Sequence, residues 1–347
     1  MIHRNLRFAR LLLPSHPSSS PALSKTGRNS RGFVSQVSSL QQPVAAPSSP
    51  HREDEDAEVE WDGLGFGLMP TDYMYVAKCS GDRNFGRGQL SLFGNFQVSP
   101  SAGVLNYGQG LFEGTKAYRK ENGHLLLFRP EQNAIRMRMG AERMCMPAPS
   151  VDQFVNALKQ TALANRRWEG TAPLNLYVEE DFDRASRRGT GSVKTISNYA
   201  PVLMAQTRAK NRGFSDVLYL DSQTKKNLEE VSSCNIFIAK GKNISTPATN
   251  GTILAGITRK SVIEIARDLG YQVEERVVGV DELAEADEVF CTGTAVGVAP
   301  VGNITYRDTR MEYRTGSGTI CQELSSTLTG IQTGRIEDGK GWIHEIY

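Results

Sequence analysis

The sequence predicts an α+β fold with mixed sheets, divided between two α/β domains. Short runs of β-branched and aromatic residues, such as 216–221 and 235–239, alternate with segments of helical periodicity, such as 130–143 and 258–269. Neither a GxGxxG nor a GxxxxGKS/T motif occurs, which argues against dinucleotide-binding and P-loop folds. At 347 residues, 39% of them hydrophobic and 22% charged, the chain is long and apolar enough for two globular domains.

The first 52 residues differ from the rest of the chain in charge. They contain no aspartate or glutamate, are rich in serine and proline, and carry arginines at helical spacing near the start. This composition is typical of an organellar transit peptide, with a simple disordered tail as the alternative. The arginine spacing favours targeting to a mitochondrion, whereas the serine content is also typical of targeting to a chloroplast. An acidic run then begins the folded protein. We divide the chain into 1–56 (transit peptide or disordered), 57–168 (small N-terminal domain) and 169–347 (large domain).

Composition argues against several classes of function. A formal net charge of +2, without a basic stripe interleaved with aromatic residues, argues against a nucleic-acid partner. No apolar run approaches the roughly 20 residues of a membrane-spanning helix. The five cysteines form no CxxC pair and most of the five histidines lie near the chain ends, so we expect neither a disulfide framework nor a metal site.

Periodicity places the elements of both domains. The helix over 130–143 opens with proline, favoured at the first position, and we expect Ile135 and Met139 to form its buried stripe beside Arg136. A Ser-x-x-Gln capping box at 150–153 starts the next helix. Further helices are predicted over 199–211 and, capped by Thr258, over 258–269. Strands are predicted over 73–78, 90–96, 125–129, 174–178, 216–221, 235–239 and 289–292.

Lys194 is the residue around which a catalytic site can be assembled. A lone lysine is usually a solvated surface cation, but Lys194 is followed by a tyrosine, a carboxylate and two Gly-Thr loops. An amine nucleophile is useful when it forms a Schiff base with a carbonyl cofactor, and pyridoxal phosphate is the usual one. Glu230, directly before a buried strand, can face the ring nitrogen. The segment 256–258 starts a helix whose amide groups suit a phosphate, with Arg136 as the cation. Tyr199 can hold the 3-oxygen.

These residues resemble the branched-chain aminotransferases of pyridoxal-phosphate fold type IV, in particular their plant forms. The resemblance runs from about residue 62 to the C-terminus. It rests on the motifs LNYG at 105–108, FEG at 112–114, LFRP at 127–130, VK at 193–194, NY at 198–199, Glu230, Asn235, GITR at 256–259 and GTA at 293–295. It implies a pyridoxal 5′-phosphate enzyme that moves the amino group between leucine, isoleucine or valine and 2-oxoglutarate by a ping-pong mechanism. It also implies a homodimer whose large domain binds the cofactor and whose sites borrow a loop from the partner.

The resemblance also assigns residue roles. Lys194 becomes the Schiff-base and proton-shuttling residue, Glu230 the partner of the ring nitrogen and Tyr199 the partner of the 3-oxygen. The phosphate falls to Arg136, Ile257, Thr258 and Thr294, and Ser233 faces the cofactor. The branched side chain of the substrate falls to Tyr107 and Phe112, and its carboxylate to Ala295.

The resemblance is interrupted after Trp168. The family continues there with a longer segment that carries a Tyr-x-Arg-Pro strand, whose tyrosine and arginine help to bind substrate. In this chain Trp168 is followed at once by the segment EGTAP at 169–173. The resemblance therefore implies an incomplete N-terminal domain. Two alternatives stay open: a catalytically impaired isoform that keeps the cofactor side, and a D-amino acid transaminase or aminodeoxychorismate lyase of the same fold.

Overall fold

Mixed sheets and helices make up the parts of the chain that the computed structural model describes, residues 5–7, 70–79, 84–166 and 176–347. The predicted α+β class is confirmed. No helix in these ranges is long and apolar enough to cross a membrane. The N-terminal half contains β1 (Asn5–Arg7), β2 (Tyr73–Val76), β3 (Gln89–Leu92), α1 (Gly103–Asn106), β4 (Lys116–Arg119), β5 (Leu125–Phe128), α2 (Pro130–Arg143) and α3 (Val151–Ala164).

The C-terminal half begins after residue 175. It contains β6 (Leu176–Glu179), α4 (Val202–Asn211), β7 (Asp216–Leu220), β8 (Leu228–Val231), β9 (Asn235–Lys240), β10 (Asn243–Pro247), α5 (Ile257–Asp268), β11 (Gln272–Arg276), β12 (Glu288–Gly293), β13 (Gly297–Val301), β14 (Asn303–Tyr306), β15 (Thr309–Glu312), α6 (Ile320–Gln332) and β16 (Ile343–Ile346), with 3-10 helices at Ile196–Asn198 and Val280–Glu285.

The smaller sheet joins the two ends of the described chain. Its strand order is β1-β4-β5-β16, and every pairing is antiparallel. Within the predicted transit peptide the structure describes only β1, which is extended rather than helical, and the rest of 1–56 lies outside the described residues. Because β16 belongs to this sheet, the C-terminus contributes to the region predicted as the N-terminal domain. The domain boundaries themselves stay a prediction.

Helix α2 has the predicted bounds but a different buried face. Met139 is 64% exposed, so its placement in the buried stripe was wrong. The face that packs inward is built from small residues, among them Ala134 and Gly140. A Cβ at Gly140 would lie 3.1 Å from the side chains of Leu111 and Val193. Small side chains let the helix approach closely, and α2 therefore packs directly on the loop that carries Lys194.

Helix α3 begins as the sequence predicts. The Ser150 hydroxyl accepts a hydrogen bond from the Gln153 amide at 3.1 Å, and the Gln153 side chain accepts one from the Ser150 amide at 3.0 Å. These two bonds satisfy first-turn amide groups that would otherwise lack acceptors. The capping box is confirmed. The residues that follow, 167–175, include the predicted interruption after Trp168 and lie outside the described residues.

The larger sheet has ten strands and supports the candidate site. Its main path runs β11-β10-β9-β8-β7-β6-β14-β15, with β12 beside β9 and β13 beside β12. Strands β6 and β7 pair in parallel, whereas β7, β8 and β9 pair antiparallel, so the sheet is mixed. Its core is apolar: the rings of Phe237 and Phe290 stack at 5.0 Å across the β9–β12 pairing.

Two predicted helices differ at their first residues. Helix α5 starts at Ile257, with Gly256 in extended conformation as its N-cap, so Thr258 is a buried first-turn residue and not the cap. The helix predicted over 199–211 is two elements, because Tyr199 ends the 3-10 helix Ile196–Asn198 and Pro201 caps α4. Both changes place a predicted site residue at a helix end.

Candidate active site

Lys194 lies in an aromatic corner. Its amino group donates a hydrogen bond to the Tyr199 hydroxyl at 3.1 Å and lies 4.6 Å from the centre of the Phe112 ring. The two rings meet edge to face at 4.8 Å. The Phe112 amide donates to the Lys194 carbonyl at 3.2 Å, which ties the two segments together. Three of the predicted site residues are thus brought into contact.

Asn198 holds the lysine loop in shape. Its side-chain amide donates to the carbonyls of Thr190 and Val193, at 2.7 and 2.9 Å, and its side-chain oxygen accepts from the Thr190 hydroxyl at 2.8 Å. These bonds join Asn198, which follows Lys194, to Thr190 and Val193, which precede it. The loop is therefore fixed both by these side-chain contacts and by the backbone bridge between Leu111 and Thr195.

Glu230 lies on β8 and is buried, with 2% of its surface exposed. Its Oε1 atom lies 2.7 Å from the Arg184 guanidinium and accepts a hydrogen bond from the Leu254 amide at 2.8 Å. Burial raises the pKa of the Glu230 carboxyl to about 7, against the opposing effects of Arg184, the Leu254 amide and Lys194. Sequence reasoning missed Arg184, since no local signal links it to a partner 46 positions along the chain.

The N-terminus of α5 forms the other end of the site. In the described part of the chain no side chain caps this helix, so its first amide groups remain available to an anion. Ile257, Thr258 and Thr294 line one recess there, together with Lys116 and Asn133. The Thr294 hydroxyl donates to the Gly114 carbonyl at 3.2 Å, which joins the β12–β13 turn to the FEG segment. Three predicted phosphate residues are therefore neighbours.

Arg136 approaches this recess but is engaged by a carboxylate. Its guanidinium donates to both oxygens of Glu113, at 2.9 and 2.6 Å, and to the Ala255 carbonyl at 3.2 Å. Asn133 also donates to Glu113, at 2.8 Å. Because Ala255 immediately precedes the cap of α5, Arg136 lies beside the helix N-terminus. Glu113, which orients it, was not predicted as a site residue.

The remaining predicted residues are less closely grouped. The Ala295 carbonyl accepts a hydrogen bond from the buried Lys116 amino group at 2.8 Å. Ser233 is exposed, with its hydroxyl 3.8 Å from the Cys234 sulfur. Tyr107 ends the short helix α1 and is 83% exposed, so the structure does not bring its ring into the aromatic corner. Among the described residues, no three histidine, cysteine, aspartate or glutamate side chains are grouped to hold a metal ion.

The arrangement has a defined chemical capacity. An amine beside a phenol, a buried carboxylate and an uncapped helix N-terminus are three contacts that a phosphorylated aromatic aldehyde requires. The amine can bond to the carbonyl carbon, the carboxylate can pair with a ring nitrogen, and the helix can hold the phosphate.

Comparisons with known proteins agree with this chemistry. A family profile described as "Amino-transferase class IV" matches residues 174–304. Branched-chain-amino-acid aminotransferase 2, chloroplastic, of Arabidopsis thaliana is 59% identical, over 89% of this chain and 91% of its own length. Branched-chain amino acid aminotransferase 1, mitochondrial, of Humulus lupulus is 55% identical over 100% of both chains. The branched-chain aminotransferase of the archaeon Thermoproteus uzoniensis, solved with norvaline, superposes with a TM-score of 0.68 at 25% identity, over 75% of this chain and 98% of that chain.

The alignment with the Humulus lupulus protein also shows a difference in length. It extends over 394 positions and covers both chains fully, whereas this chain has 347 residues. The relative therefore contains residues for which this chain has no counterpart. This agrees with the interruption of the resemblance that the sequence indicates.

Proposed function

Because the chain belongs to the branched-chain-amino-acid aminotransferase family, we propose that it transfers the amino group between leucine, isoleucine or valine and 2-oxoglutarate, with pyridoxal 5′-phosphate held at Lys194. The observation that carries this proposal is the Lys194 amino group, 3.1 Å from the Tyr199 hydroxyl and within the electrostatic reach of buried Glu230. A lysine placed between a phenol and a buried carboxylate is suited to a covalent role.

The residues present fit the cofactor at its ring nitrogen. Oε1 of Glu230 is engaged by Arg184 and by the Leu254 amide, whereas Oε2 has a 3.4 Å contact to the Asn235 amide, which is long for a hydrogen bond. Oε2 therefore keeps the capacity to accept a bond from a ring N–H. A carboxylate at this position keeps the nitrogen protonated, and when bound the cofactor supplies an electron sink for the substrate α-carbon.

The residues also fit the phosphate. The first amides of α5, at Ile257 and Thr258, and the Thr294 side chain share one recess, and Arg136 lies beside it. A helix N-terminus favours an anion through its oriented amides and dipole. We propose that these four residues hold the phosphate and that Arg136 divides its donors between the phosphate and Glu113.

The protein's own part in the reaction follows from these positions. Lys194 is the base that accepts the proton from the substrate α-carbon at Nζ, and Tyr199 orients that amine and holds the 3-oxygen of the cofactor. The Phe112 ring supplies an apolar wall beside Lys194, which suits a branched aliphatic side chain. We assign Tyr107 to the same pocket, Ala295 to the substrate carboxylate and Ser233 to the cofactor-facing surface.

The names of two relatives support a proposal about localisation. One relative is named chloroplastic and another mitochondrial, so we propose that residues 1–56 direct this chain to an organelle, with the mitochondrion favoured by the arginine spacing.

We also propose a homodimer, because exposed Tyr107 would be covered by a partner subunit placed over the site.

The first test is spectroscopic. Recombinant protein purified with pyridoxal 5′-phosphate should show an absorbance band near the visible edge, and Lys194→Ala should abolish it because the amine that forms the covalent bond is removed. Lys242→Ala, at an exposed lysine of the same domain, is the matched control and should keep the band. A colourless wild type would contradict the proposal.

Turnover separates the proposed function from its alternatives. Wild-type protein should produce glutamate from leucine and 2-oxoglutarate, and Lys194→Ala should reduce kcat at least a thousandfold, as expected for loss of a covalent catalyst. Cofactor binding without leucine-dependent turnover would identify the impaired isoform. Turnover of a D-amino acid in place of leucine would identify the D-amino acid transaminase.

A further inference from the structure

Asn235 connects the two ends of the candidate site. It is the first residue of β9, pairs with Glu230 across the β8–β9 hairpin and has 5% of its surface exposed. Its side-chain nitrogen donates to the Leu254 carbonyl at 2.9 Å and faces Oε2 of Glu230 at 3.4 Å. One buried amide therefore contacts both the carboxylate and the segment that leads into α5.

Leu254 closes a ring between these two side chains. Its amide donates to Oε1 of Glu230 at 2.8 Å while its carbonyl accepts from Asn235. The backbone N–H and C=O of Leu254 are both hydrogen-bonded to side chains of the β8–β9 hairpin. Leu254 is 8% exposed, so the bonds are shielded from competing water.

The contact continues to the helix N-terminus. Gly256 caps α5 and packs on the Asn235 side chain, because a Cβ at this glycine would lie 2.1 Å from Oδ1 and 3.3 Å from Cγ. Only glycine fits this approach without displacing the amide. The face of Asn235 therefore sets the distance between the hairpin and the first turn of the phosphate-binding helix.

We propose that Asn235 is a positioning residue that ties the ring-nitrogen carboxylate to the N-terminus of α5. This inference rests on the proposed cofactor site. Through Leu254 and Gly256, the amide fixes the separation between Glu230 and the first amides of the helix. A cofactor that must contact both ends then binds groups whose separation is already fixed. Less conformational entropy is therefore lost on binding.

The decisive variant is Asn235→Asp, which keeps the shape and removes both amide donors. It places a second carboxylate beside Glu230 and an acceptor against the Leu254 carbonyl. We expect the Kd for pyridoxal 5′-phosphate to rise at least tenfold, the loss expected for one hydrogen bond in a charged, buried network. Asn243→Asp, at an exposed asparagine of β10, is the matched control and should leave the Kd unchanged.

Inorganic phosphate used alone distinguishes linkage from local packing. It binds only the α5 end, so Glu230→Gln should leave its Kd unchanged. If Asn235 spaces the two ends, Asn235→Asp should weaken phosphate binding as well. Weaker binding of pyridoxal 5′-phosphate with unchanged phosphate binding would overturn the linkage, and wild-type affinity for both ligands would overturn the role of Asn235 entirely.

A double variant guards against simple misfolding. In the Glu230→Gln, Asn235→Asp protein the donor and acceptor are exchanged, so the two side chains can pair again. We expect its melting temperature to recover part of the loss caused by Asn235→Asp alone, because the pair is restored while the bond to the Leu254 carbonyl stays broken, and additive losses would contradict the contact. All of these readouts are binding or melting measurements. A wild type that binds the cofactor but fails to transaminate leucine would refute the proposed function and leave the inference standing.

Discussion

Glu230 shows how one buried residue sets the character of the site. Its carboxyl is shielded from water, and its direct partners are Arg184, Leu254 and Asn235. Shielding disfavours the charged form, and the nearby guanidinium only partly offsets that effect. The local sequence identified Lys194 and Tyr199 because they lie five positions apart. It did not identify Arg184, which reaches Glu230 from a loop 46 positions away, or the role of Asn235, which depends on its contact with Leu254 19 positions along the chain.

The raised pKa of Glu230 predicts a pH dependence of stability. The folded-state pKa is about 7, above the usual value of 4.5. The folded cofactor-free protein therefore keeps a proton that the unfolded chain releases. The stabilising contribution is fully present below about pH 4.5 and is lost as the pH rises through 7. The free energy of unfolding of wild type, relative to Glu230→Gln, should fall by about 1–3 kcal/mol over this window.

Urea denaturation of both proteins between pH 4.5 and 8 measures this difference. Glu337→Gln, at an exposed glutamate, is the matched control and should show no such trend relative to wild type. A difference between wild type and Glu230→Gln that stays constant across the window would show that the carboxyl is ionised throughout.

At the scale of elements, the start of α2 joins the smaller sheet to α5. Arg129 adopts a left-handed conformation, with φ of 50°, at the N-cap. Its guanidinium donates to the Ser261 hydroxyl at 2.9 Å, pairs with Glu264 at 3.2 Å and lies 4.4 Å over the Trp342 ring. One side chain therefore connects the beginning of α2, the face of α5 that carries Ser261 and Glu264, and the segment before β16.

Arg129→Ala should lower the free energy of unfolding by about 2–4 kcal/mol. The change removes buried hydrogen bonds to Ser261 and Glu264 and the cation–π contact to Trp342. Chemical denaturation measures the loss, and Arg138→Ala on the exposed face of the same helix should stay within about 0.5 kcal/mol of wild type. A loss below about 1 kcal/mol would show that α2 is anchored elsewhere.

Elements with strong local signals could be predicted, and those that depend on a partner could not. The proline at the start of α2 and the capping box of α3 are short-range signals, and both helices begin where the sequence indicates. Strands β4 and β16 are four residues each and gain their stability from β5 between them. The Thr258 cap was wrong because Gly256, pressed against Asn235, already provides the extended residue that starts α5.

At the scale of the whole molecule, the chain is shorter than a relative that it matches along its full length. The described residues supply an amine, a buried carboxylate and a recess at a helix N-terminus. The Humulus lupulus relative contains residues without counterpart here. The family resemblance implies a segment after Trp168 whose tyrosine and arginine help to bind substrate. We therefore expect weak substrate binding, rather than weak cofactor binding, to limit the catalytic efficiency of this enzyme.

Insertion of the corresponding Humulus lupulus segment after Trp168 tests that expectation. The added arginine should lower KM for leucine at least tenfold through a charge-assisted bond to the carboxylate, with little change in the Kd for pyridoxal 5′-phosphate. Steady-state kinetics measure the effect, and a glycine-serine insert of equal length is the control. An unchanged KM would show that Ala295 and its neighbours already hold the carboxylate.

The position of β16 has a consequence for how the protein is made. A growing chain leaves the ribosome with its N-terminus first, and N-terminal domains generally fold before C-terminal ones. Here β5 acquires its outer neighbour only when residues 343–346 emerge. Until then the buried-type strand Leu125–Phe128 has an open edge, the surface that chaperones and aggregating chains recognise. The smaller sheet can therefore be completed only after β16 has been synthesised, although most of its strands are synthesised first.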